Sequence, residues 1–532
     1  MNGAESLMRS FAAGGVEICF ANPGTTEMDL VAALDGAPGL RGVLGLFEGV
    51  CTGAADGYAR MARRPALTLL HLGPGFANGI ANLHNARRAR SPVVNLVGDH
   101  ARWHRAADAP LTTDIVSLAR PVSDWVETVE DPKLMGQAAA QALCAALEPP
   151  GQVATLILPQ DCAWEEAPGP TPPLESTPRR RVEEAAVGGA ARALRSRPAL
   201  ILLGGDALSE RALELAARVA GAAGCDVACE TFVARVERGG GLPAFGQLPY
   251  FPEQARQLLE KYSNLVLVAS REPVAFFGYR GGSSSLVADA CTVTTLAEPG
   301  WDAEAALEAL AERLGASRRD ARAPAPGSHS AAGAEVPTPP PDGRLGVGSL
   351  GRAVAALIPE QAIVVNEATT SGLAFAGLSG ASRRHTTLQL TGGAIGQGLP
   401  CAVGAALACP ERRVIALEAD GSGMYTPQAL WTLAREGLDV TVIVCANRAY
   451  RILQVELARA GVAEPGPAAR ALTDLSHPDL DWVSLARGLG VTGVRVDTAE
   501  GLGEALARSL ATPGPTLIEA VLEDRPASPA SR

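Results

Sequence analysis

The sequence predicts an α/β protein of three domains, each built on a mainly parallel sheet flanked by helices. Its 532 residues exceed what one hydrophobic core usually contains. Two segments rich in proline, serine and charge, 167–181 and 316–344, interrupt the apolar pattern and indicate linkers. Elsewhere, short apolar runs alternate with helical stretches, which is typical of parallel sheets covered by helices.

The two linkers divide the chain into an N-terminal domain at 1–166, a middle domain at 182–315 and a C-terminal domain at 345–523. Ligands of such sheets bind beyond the carboxyl ends of the strands, so the residues that follow each predicted strand are the first candidates for a site. The runs that predict strands are 16–20, 43–46, 66–70, 93–97, 153–158, 199–203, 226–228, 265–269, 362–365, 414–417, 440–445 and 516–520.

Composition argues against several classes of function. The formal net charge is -11 without a long run of Lys or Arg, so a nucleic-acid surface or an anionic-membrane surface is not expected. No stretch reaches the roughly 18 apolar residues that span a bilayer, and residues 1–15 lack the apolar core of a signal peptide. The ten cysteines form no CxxC pair, which suits buried thiols in a reducing compartment. We therefore expect a cytoplasmic protein with a small-molecule ligand.

A glycine-rich turn, ADGSG at 419–423, follows the predicted strand at 414–417. Backbone amides at such a turn suit a phosphate group, and Thr426, followed by proline, predicts the N-cap of the next helix. Asn447 ends the next strand, so adjacent parallel strands would bring Asp420 and Asn447 to one edge of the sheet. With the carbonyl of Ala449 they would supply oxygen ligands of the kind that Mg²⁺ prefers. The turn alone could be an ordinary one, and its pairing with Asn447 favours a site.

This pairing resembles the metal and diphosphate signature of the thiamine diphosphate enzymes, a Gly-Asp-Gly turn followed by Asn at the end of the next strand. Ala419 replaces the first glycine, and this change removes no ligand. The resemblance covers essentially the whole chain, in the domain order of acetolactate synthase, benzoylformate decarboxylase and pyruvate oxidase: pyrimidine-binding, middle and diphosphate-binding. It implies that Asp420, Asn447 and Ala449 bind Mg²⁺, while Gly421 and Ser422 hold the diphosphate.

Glu48 matches the glutamate with which this family bonds the aminopyrimidine ring and activates the cofactor. It follows the second predicted strand, in LGLFEGV, where a carboxylate among small and apolar residues is costly without a partner or a function. Three further positions match contacts with the cofactor. They are Thr369 in NEATTSG, and Gly393 and Ile395 in LTGGAIGQG, with Ile395 as the apolar side chain over which the cofactor bends.

His71 lies in the HLGPG loop after the third strand, where decarboxylases of this family carry a catalytic histidine, although a histidine at a strand end can also be structural. Thr25, in NPGTTE, matches a serine near the cofactor that binds substrate in benzoylformate decarboxylase. A second active-site histidine of that enzyme has no counterpart here. Phe277, Gly278 and Tyr279 occupy the matching segment.

The resemblance implies thiamine diphosphate- and Mg²⁺-dependent decarboxylation of a 2-oxo acid, with possible ligation to a second carbonyl as in acetolactate synthase. A benzoylformate decarboxylase-like enzyme without ligation is the alternative. A third hypothesis is a non-catalytic regulatory homologue. Glu48 argues against it, because a protein without activity would have little need for a buried acid beside a binding turn. A dinucleotide-dependent oxidoreductase fits poorly because residues 203–206 depart from GxGxxG. No flavin signature is found, so FAD is not expected.

The family also implies an assembly. Its enzymes place the cofactor between subunits, so we expect a homodimer or homotetramer in which Glu48 of one subunit faces Asp420 of another.

Overall fold

The protein is described by a computed structural model that covers residues 1–320, 338 and 343–523. Most of the predicted linker at 316–344 lies outside these residues. The strands are β1 (Ile18–Asn22), β2 (Arg41–Leu44), β3 (Ala66–Leu70), β4 (Val93–Asp99), β5 (Trp125–Thr128), β6 (Val153–Pro159), β7 (Ala199–Leu203), β8 (Asp226–Cys229), β9 (Arg235–Arg238), β10 (Gly246–Gln247), β11 (Asn264–Val268), β12 (Thr292–Ala297), β13 (Ala362–Asn366), β14 (His385–Gln389), β15 (Val414–Ala419), β16 (Val440–Ala446), β17 (Thr492–Val496) and β18 (Thr516–Val521).

Helices connect these strands and cover the sheets. They are α1 (Gly3–Ala13), α2 (Met28–Leu34), α3 (Glu48–Ala62), α4 (Leu72–Ala89), α5 (Ile115–Ala119), α6 (Met135–Leu147), α7 (Gln160–Trp164), α8 (Glu184–Arg195), α9 (Glu210–Ala223), α10 (Pro252–Leu259), α11 (Ala303–Leu314), α12 (Val347–Leu357), α13 (Leu373–Leu378), α14 (Gly398–Ala408), α15 (Asp420–Gly423), α16 (Ala429–Glu436), α17 (Arg451–Arg459), α18 (Pro467–Ala471), α19 (Trp482–Gly488) and α20 (Ala499–Ala511). Over the described part of the chain, no helix has both the length and the apolar character needed to cross a bilayer.

Three sheets confirm the predicted fold class. The first has the order β2-β1-β3-β4-β6-β5, the second β10-β8-β7-β11-β12 and the third β17-β18-β16-β15-β13-β14-β9. All pairs are parallel except β9 with β14. Each sheet takes most of its strands from one predicted domain range, but β9 comes from the middle range and pairs with the edge of the third sheet. The domain boundaries themselves stay a prediction.

The apolar runs located the central strands and missed strands at the sheet edges. The prediction omitted β5, β9, β10, β12 and β17, which are all edge strands, and β14, which lies next to an edge. Central parallel strands are buried on both faces and are therefore almost continuously apolar, whereas edge strands carry polar residues. In β9, for example, the sequence is RVER, with no apolar run to detect.

The first and third sheets share one hydrophobic core, in which α3 packs against α14. The two helices approach closely because a glycine lies at the crossing: a Cβ on Gly404 would fall 1.9 Å from the carbonyl oxygen of Ala54. A buried ion pair reinforces this contact. Asp56 accepts two hydrogen bonds from Arg60, and Arg60 also donates to the Gln389 carbonyl at 2.8 Å. The end of β14 is thereby tied to the first sheet.

We predict that Asp56→Asn destabilises the protein by about 3–5 kcal/mol, because it leaves the Arg60 charge buried without its partner. The side chains of Asp56 and Arg60 are 0% and 2% exposed. The measurement is urea unfolding followed by circular dichroism. Glu17→Gln is the matched control, because it breaks an exposed ion pair. The side chains of Glu17 and Arg64 are 52% and 57% exposed. It should cost less than about 1 kcal/mol, and equal losses in both variants would contradict the role of the buried pair.

Candidate active site

Three adjacent strands of the first sheet, β2, β1 and β3, end beside one another and carry the predicted residues of this domain. Thr25 follows β1, Glu48 follows β2 and His71 follows β3. The carboxyl ends of parallel strands point to one edge of a sheet. Short distances between side chains of these turns show that the three turns meet at this edge.

Glu48 is the first residue of α3 and is 7% exposed. Its Oε2 accepts a hydrogen bond of 3.0 Å from the side-chain amide of Asn78, in the second turn of α4. The other oxygen, Oε1, lies 3.0 Å from the position that a Cβ on Gly75 would occupy. A buried carboxylate at a helix N-terminus is favoured by the helix dipole. Asn78 fixes the orientation of that carboxylate.

His71 caps the start of α4 and pairs with Glu27, a residue to which the sequence analysis gave no role. The Glu27 carboxylate is fully buried, and its Oε2 lies 2.8 Å from Nδ1 of His71. Glu27 also accepts hydrogen bonds from the Gly24 backbone amide at 2.7 Å and from the Thr26 hydroxyl at 2.5 Å. A carboxylate can only accept, so Nδ1 carries the proton and Nε2 is left for other contacts.

Thr25 is exposed, whereas Thr26 is buried against the His71–Glu27 pair. Thr26 Oγ1 lies 3.3 Å from His71 Nδ1. The predicted position is therefore the accessible one of the two threonines, and the neighbouring residue supports the histidine.

Four adjacent strands of the third sheet, in the order β16-β15-β13-β14, carry the other predicted residues at their carboxyl ends. Asn447 follows β16, Asp420 follows β15, Thr369 follows β13, and the loop with Gly393 and Ile395 follows β14. Strained backbone accompanies these turns. Thr369 has φ +44°, and Arg448 beside Asn447 has φ +56°. Left-handed conformations of non-glycine residues are often found at functional sites.

Asp420 and the Asn447 turn lie in contact. Asp420 is 2% exposed, and its Oδ2 accepts a 2.6 Å hydrogen bond from the backbone amide of Arg448. Asn447 Oδ1 accepts from the backbone amide of Ala449 at 3.0 Å. Burial raises the pKa of Asp420 to about 6, in spite of hydrogen bonds from the Arg448 and Gly421 amides that lower it. Burial thus outweighs the groups that favour the charged form, and a cation bound at Asp420 would stabilise the carboxylate further.

The predicted start of the helix after this turn is wrong. Asp420 to Gly423 form the short helix α15, and the next helix, α16, begins at Ala429 without a side-chain cap. Thr426 instead donates its hydroxyl to the Gly396 carbonyl at 2.8 Å. The hydroxyl thus serves a long-range contact between two loops of the third sheet, which local capping rules do not anticipate.

The loop between β14 and α14 presents two predicted residues. Gly393 is exposed with φ +79°, and Ile395 is partly buried before Gly396, which has φ +96°. The left-handed glycines allow the backbone to turn on each side of Ile395. Residues 391–397 form no helix or strand, so their polar groups need partners from elsewhere.

Helix α4 supplies many of these partners. The side-chain amide of Asn82 donates to the Gly396 carbonyl at 3.3 Å, and that of Asn85 donates to the Ala394 carbonyl at 2.7 Å. His84 Nε2 lies 3.1 Å from the Gly392 carbonyl oxygen. Asn78, Asn82 and Asn85 are spaced at i, i+4 and i+7, which places them on one face of the helix. That spacing is visible in NGIANLHN and is the signal that the sequence analysis missed.

Two buried glutamates, Glu367 and Glu418, lie beneath the same loop. Glu367 accepts hydrogen bonds from the backbone amides of Gly396 and Gly398, and Glu418 accepts one from Ser422 Oγ at 2.9 Å. Burial raises the pKa of Glu367 to about 7, and burial together with the neighbouring Glu367 raises that of Glu418 well above its usual range. The pair links the Asp420 turn to the Gly393 loop.

The chemistry of the donor set fits a hard cation and a phosphate. Within the described residues, no group of three or more His, Cys, Asp or Glu side chains could hold a metal. The predicted set has one carboxylate with amide and carbonyl oxygens, the kind of set that Mg²⁺ completes with phosphate and water.

A cavity of about 210 Å³ lies elsewhere, between the first and second sheets, and residues such as Arg60, Arg90 and Asp206 line it.

Comparisons with known proteins point to one family. The model of the thiamine pyrophosphate enzyme N-terminal TPP-binding domain matches residues 1–118, and that of the C-terminal TPP-binding domain matches residues 367–520. Thiamine pyrophosphate is another name for thiamine diphosphate. The two matched ranges contain all of the predicted site residues.

Curated relatives and solved structures extend over the whole chain. A Mycobacterium tuberculosis protein that carries the name acetolactate synthase large subunit IlvX is 49% identical over 525 residues, 98% of this chain and 99% of the relative. Benzoylformate decarboxylase of Pseudomonas aeruginosa is 31% identical, over 95% of this chain and 96% of its own. The structure of the thiamine diphosphate-dependent 4-hydroxybenzoylformate decarboxylase of Rhodococcus jostii RHA1 is similar with a TM-score of 0.85 and 26% identity, over 98% and 99% of the two chains.

Proposed function

The chain belongs to the thiamine pyrophosphate enzyme family of acetolactate synthase and benzoylformate decarboxylase, and we propose that it uses thiamine diphosphate and Mg²⁺ to decarboxylate a 2-oxo acid. After carbon dioxide is lost, the remaining acyl unit has two possible fates. It either takes up a proton and is released as an aldehyde, or it bonds to a second carbonyl compound. The first fate is that of a decarboxylase and the second that of an acetolactate synthase-like ligase.

The observation that carries this proposal is the buried carboxylate of Asp420 beside the Asn447 turn. Its raised pKa indicates a charge that the protein alone does not compensate. Mg²⁺ bound by Asp420, Asn447 and the Ala449 carbonyl would compensate that charge and anchor a diphosphate on the amides of Gly421 and Ser422. Thr369, Gly393 and Ile395, at neighbouring strand ends, would contact the remainder of the cofactor.

The protein's own groups then have limited tasks. Bound thiamine diphosphate supplies a nucleophilic carbon and a sink for the electrons that remain when carbon dioxide leaves. Glu48, oriented by Asn78, would share a proton with the aminopyrimidine ring and so favour its active tautomer. His71 holds a proton on Nδ1 through Glu27, which leaves Nε2 to exchange protons with the substrate. Thr25, exposed at the same edge, is placed for a hydrogen bond to the substrate.

Different observations favour the two fates of the acyl unit. The His71–Glu27 pair positions Nε2 of the histidine for proton transfer, as a benzoylformate decarboxylase-like reaction needs. The 49% identity to a protein named as an acetolactate synthase large subunit supports ligation. A regulatory homologue without activity would have no need for Glu48 buried and oriented at this edge. Product analysis with pyruvate and benzoylformate separates aldehyde from 2-hydroxy ketone.

We also propose that the functional unit is at least a homodimer in the cytoplasm, with Glu48 of one subunit facing Asp420 of another. Two large apolar side chains beside the predicted site, Met28 and Leu46, are 47% and 45% exposed, as suits a surface that a second subunit covers. The burial of seven of the ten cysteines suits a reducing compartment.

Glu48→Gln should lower turnover by about 10²- to 10⁴-fold, the usual contribution of a positioned acid or base. The amide keeps the shape of the side chain and its helix position but cannot exchange the proton. Steady-state kinetics on the cofactor-loaded protein gives the measurement. Glu127→Gln, a partly buried glutamate on β5 of the same sheet, is the control and should keep wild-type turnover. Turnover of Glu48→Gln within a factor of two of wild type would refute the assigned role.

The affinity for Mg²⁺ with thiamine diphosphate should depend on pH. Metal binding requires the deprotonated Asp420 carboxylate, whose pKa is raised to about 6. We expect little change above pH 7 and about tenfold weaker binding for each pH unit below about 6, measured by calorimetric titration. Asp420→Asn should abolish Mg²⁺-dependent binding, and Asp439→Asn, at the other end of β16, should not. Wild-type affinity in Asp420→Asn would rule out the metal site.

A shared site predicts complementation between two inactive variants. When Glu48→Gln and Asp420→Asn chains are co-expressed, about half of the dimers contain one chain of each kind, and one of their two sites has both wild-type residues. We expect about a quarter of wild-type activity in the mixture, and about half in hybrids purified with two affinity tags. If purified hybrids are as inactive as each parent, the two residues do not serve one site across an interface.

A further inference from the structure

The middle segment of the chain places a group of aromatic rings against the Gly393 loop. The ring of Phe276 lies 5.0 Å from Phe232, 5.5 Å from Tyr250 and 4.7 Å from Phe277, centre to centre. We call these four residues the aromatic wall. Phe276 is 37% exposed and Phe277 52% exposed, so the wall keeps apolar surface uncovered beside a predicted site.

Phe276 is the member of the wall that touches the candidate active site. Its Cζ atom would lie 2.6 Å from a Cβ on Gly393, so the ring packs directly on the loop at this glycine. Gly393 is itself exposed and is a predicted contact of the cofactor. A substrate held at the cofactor beside Gly393 would therefore meet the Phe276 ring.

Several charged groups beside the wall are paired. Arg459 forms an ion pair with Glu253 and stacks on Phe251 and Tyr279 at 4.3 and 4.8 Å. Tyr279 donates its hydroxyl to Glu456 Oε1 at 3.1 Å. Burial, with contributions from Tyr279 and Glu456, raises the pKa of Tyr250 to about 12, so its phenol is neutral. The rings of the wall thus offer a neutral aromatic surface.

We propose that Phe276, backed by Phe232 and Tyr250, is a specificity-determining residue that selects 2-oxo acids with a flat aromatic substituent over pyruvate. The inference rests on the proposed function, because it assigns the substrate class of that same site. An aryl group would stack on the ring of Phe276 and displace water from apolar surface, whereas the methyl group of pyruvate would leave most of that surface wet. The substrate carboxylate would point away from the wall.

The test compares turnover and binding separately. For the enzyme loaded with thiamine diphosphate and Mg²⁺, kcat/KM should be about ten- to hundredfold higher for benzoylformate than for pyruvate, as expected for burial of an aryl group. Phe276→Ala should lower this ratio at least about tenfold, and Phe276→Leu should give an intermediate ratio, since it keeps an apolar contact without a flat ring. Val274→Ala, 65% exposed in the same segment, should leave the ratio unchanged.

Calorimetric binding of mandelate and lactate, 2-hydroxy acids that lack the reacting ketone, gives a readout independent of turnover. Mandelate should bind more tightly than lactate, and Phe276→Ala should remove that difference. Turnover of pyruvate equal to or faster than that of benzoylformate would overturn the inference and leave the proposed reaction intact. Mandelate affinity that does not change in Phe276→Ala would also overturn it. Failure to turn over any 2-oxo acid, with mandelate still bound through Phe276, would instead contradict the proposed function.

Discussion

The arrangement of the site depends on satisfying the backbone of one irregular loop. Residues 391–397 have no helix or strand to pair their amides and carbonyls, and such groups cannot remain unpaired when buried. Side chains of two helices bond this region: Asn82 and Asn85 of α4 donate to carbonyls of the loop, and Arg60 of α3 donates to the Gln389 carbonyl just before it. The loop that presents Gly393 and Ile395 is therefore shaped by helices that lie more than 300 residues earlier in the chain.

This dependence links, through α4 of one chain, the Glu48 carboxylate and the Gly393 loop, which would serve two different sites of the proposed dimer. The same helix begins at His71, orients Glu48 through Asn78 and fixes the loop through Asn82 and Asn85. Three asparagine side chains on one face of this helix therefore hold the acid and the cofactor loop of the chain in fixed positions. Preorganised groups of this kind need little rearrangement when charge develops during a reaction. The polar face of α4 is thus as important to the site as the predicted residues themselves.

Buried carboxylates with different partners give the site its electrostatic pattern. Glu27 is paired with His71, Glu367 accepts backbone amides, and Asp420 has only amide donors at a strand end. Burial raises the pKa of Asp420 to about 6, and burial together with the neighbouring Glu367 raises the pKa of Glu418 well above its usual range. The Asp420 carboxylate differs from the other two in its position, because it lies where neighbouring strand ends provide further oxygens for a cation.

The sequence was sufficient for features that depend on local pattern. Doubly buried strands are apolar runs, and the residues after them fall at one sheet edge, which is why Asp420 and Asn447 could be placed together. It was insufficient where polar residues act over long range. Thr426 looked like a helix cap and bonds another loop, and Glu27 was seen within a turn without its partner His71. Neither contact has a sequence spacing that would reveal it.

The strand β9 shows why such long-range features matter for chemistry. Its RVER sequence has no apolar run, yet it pairs antiparallel with β14, with Arg235 opposite Leu388 and Arg238 opposite His385. This register fixes the middle segment to the edge of the third sheet. Phe232 lies three residues before β9, and the loop with Gly393 begins just beyond β14. The pairing of one polar edge strand therefore determines where the aromatic wall meets the cofactor loop, and any change in that register would move Phe232 and its neighbour Phe276 relative to the residues that hold the cofactor.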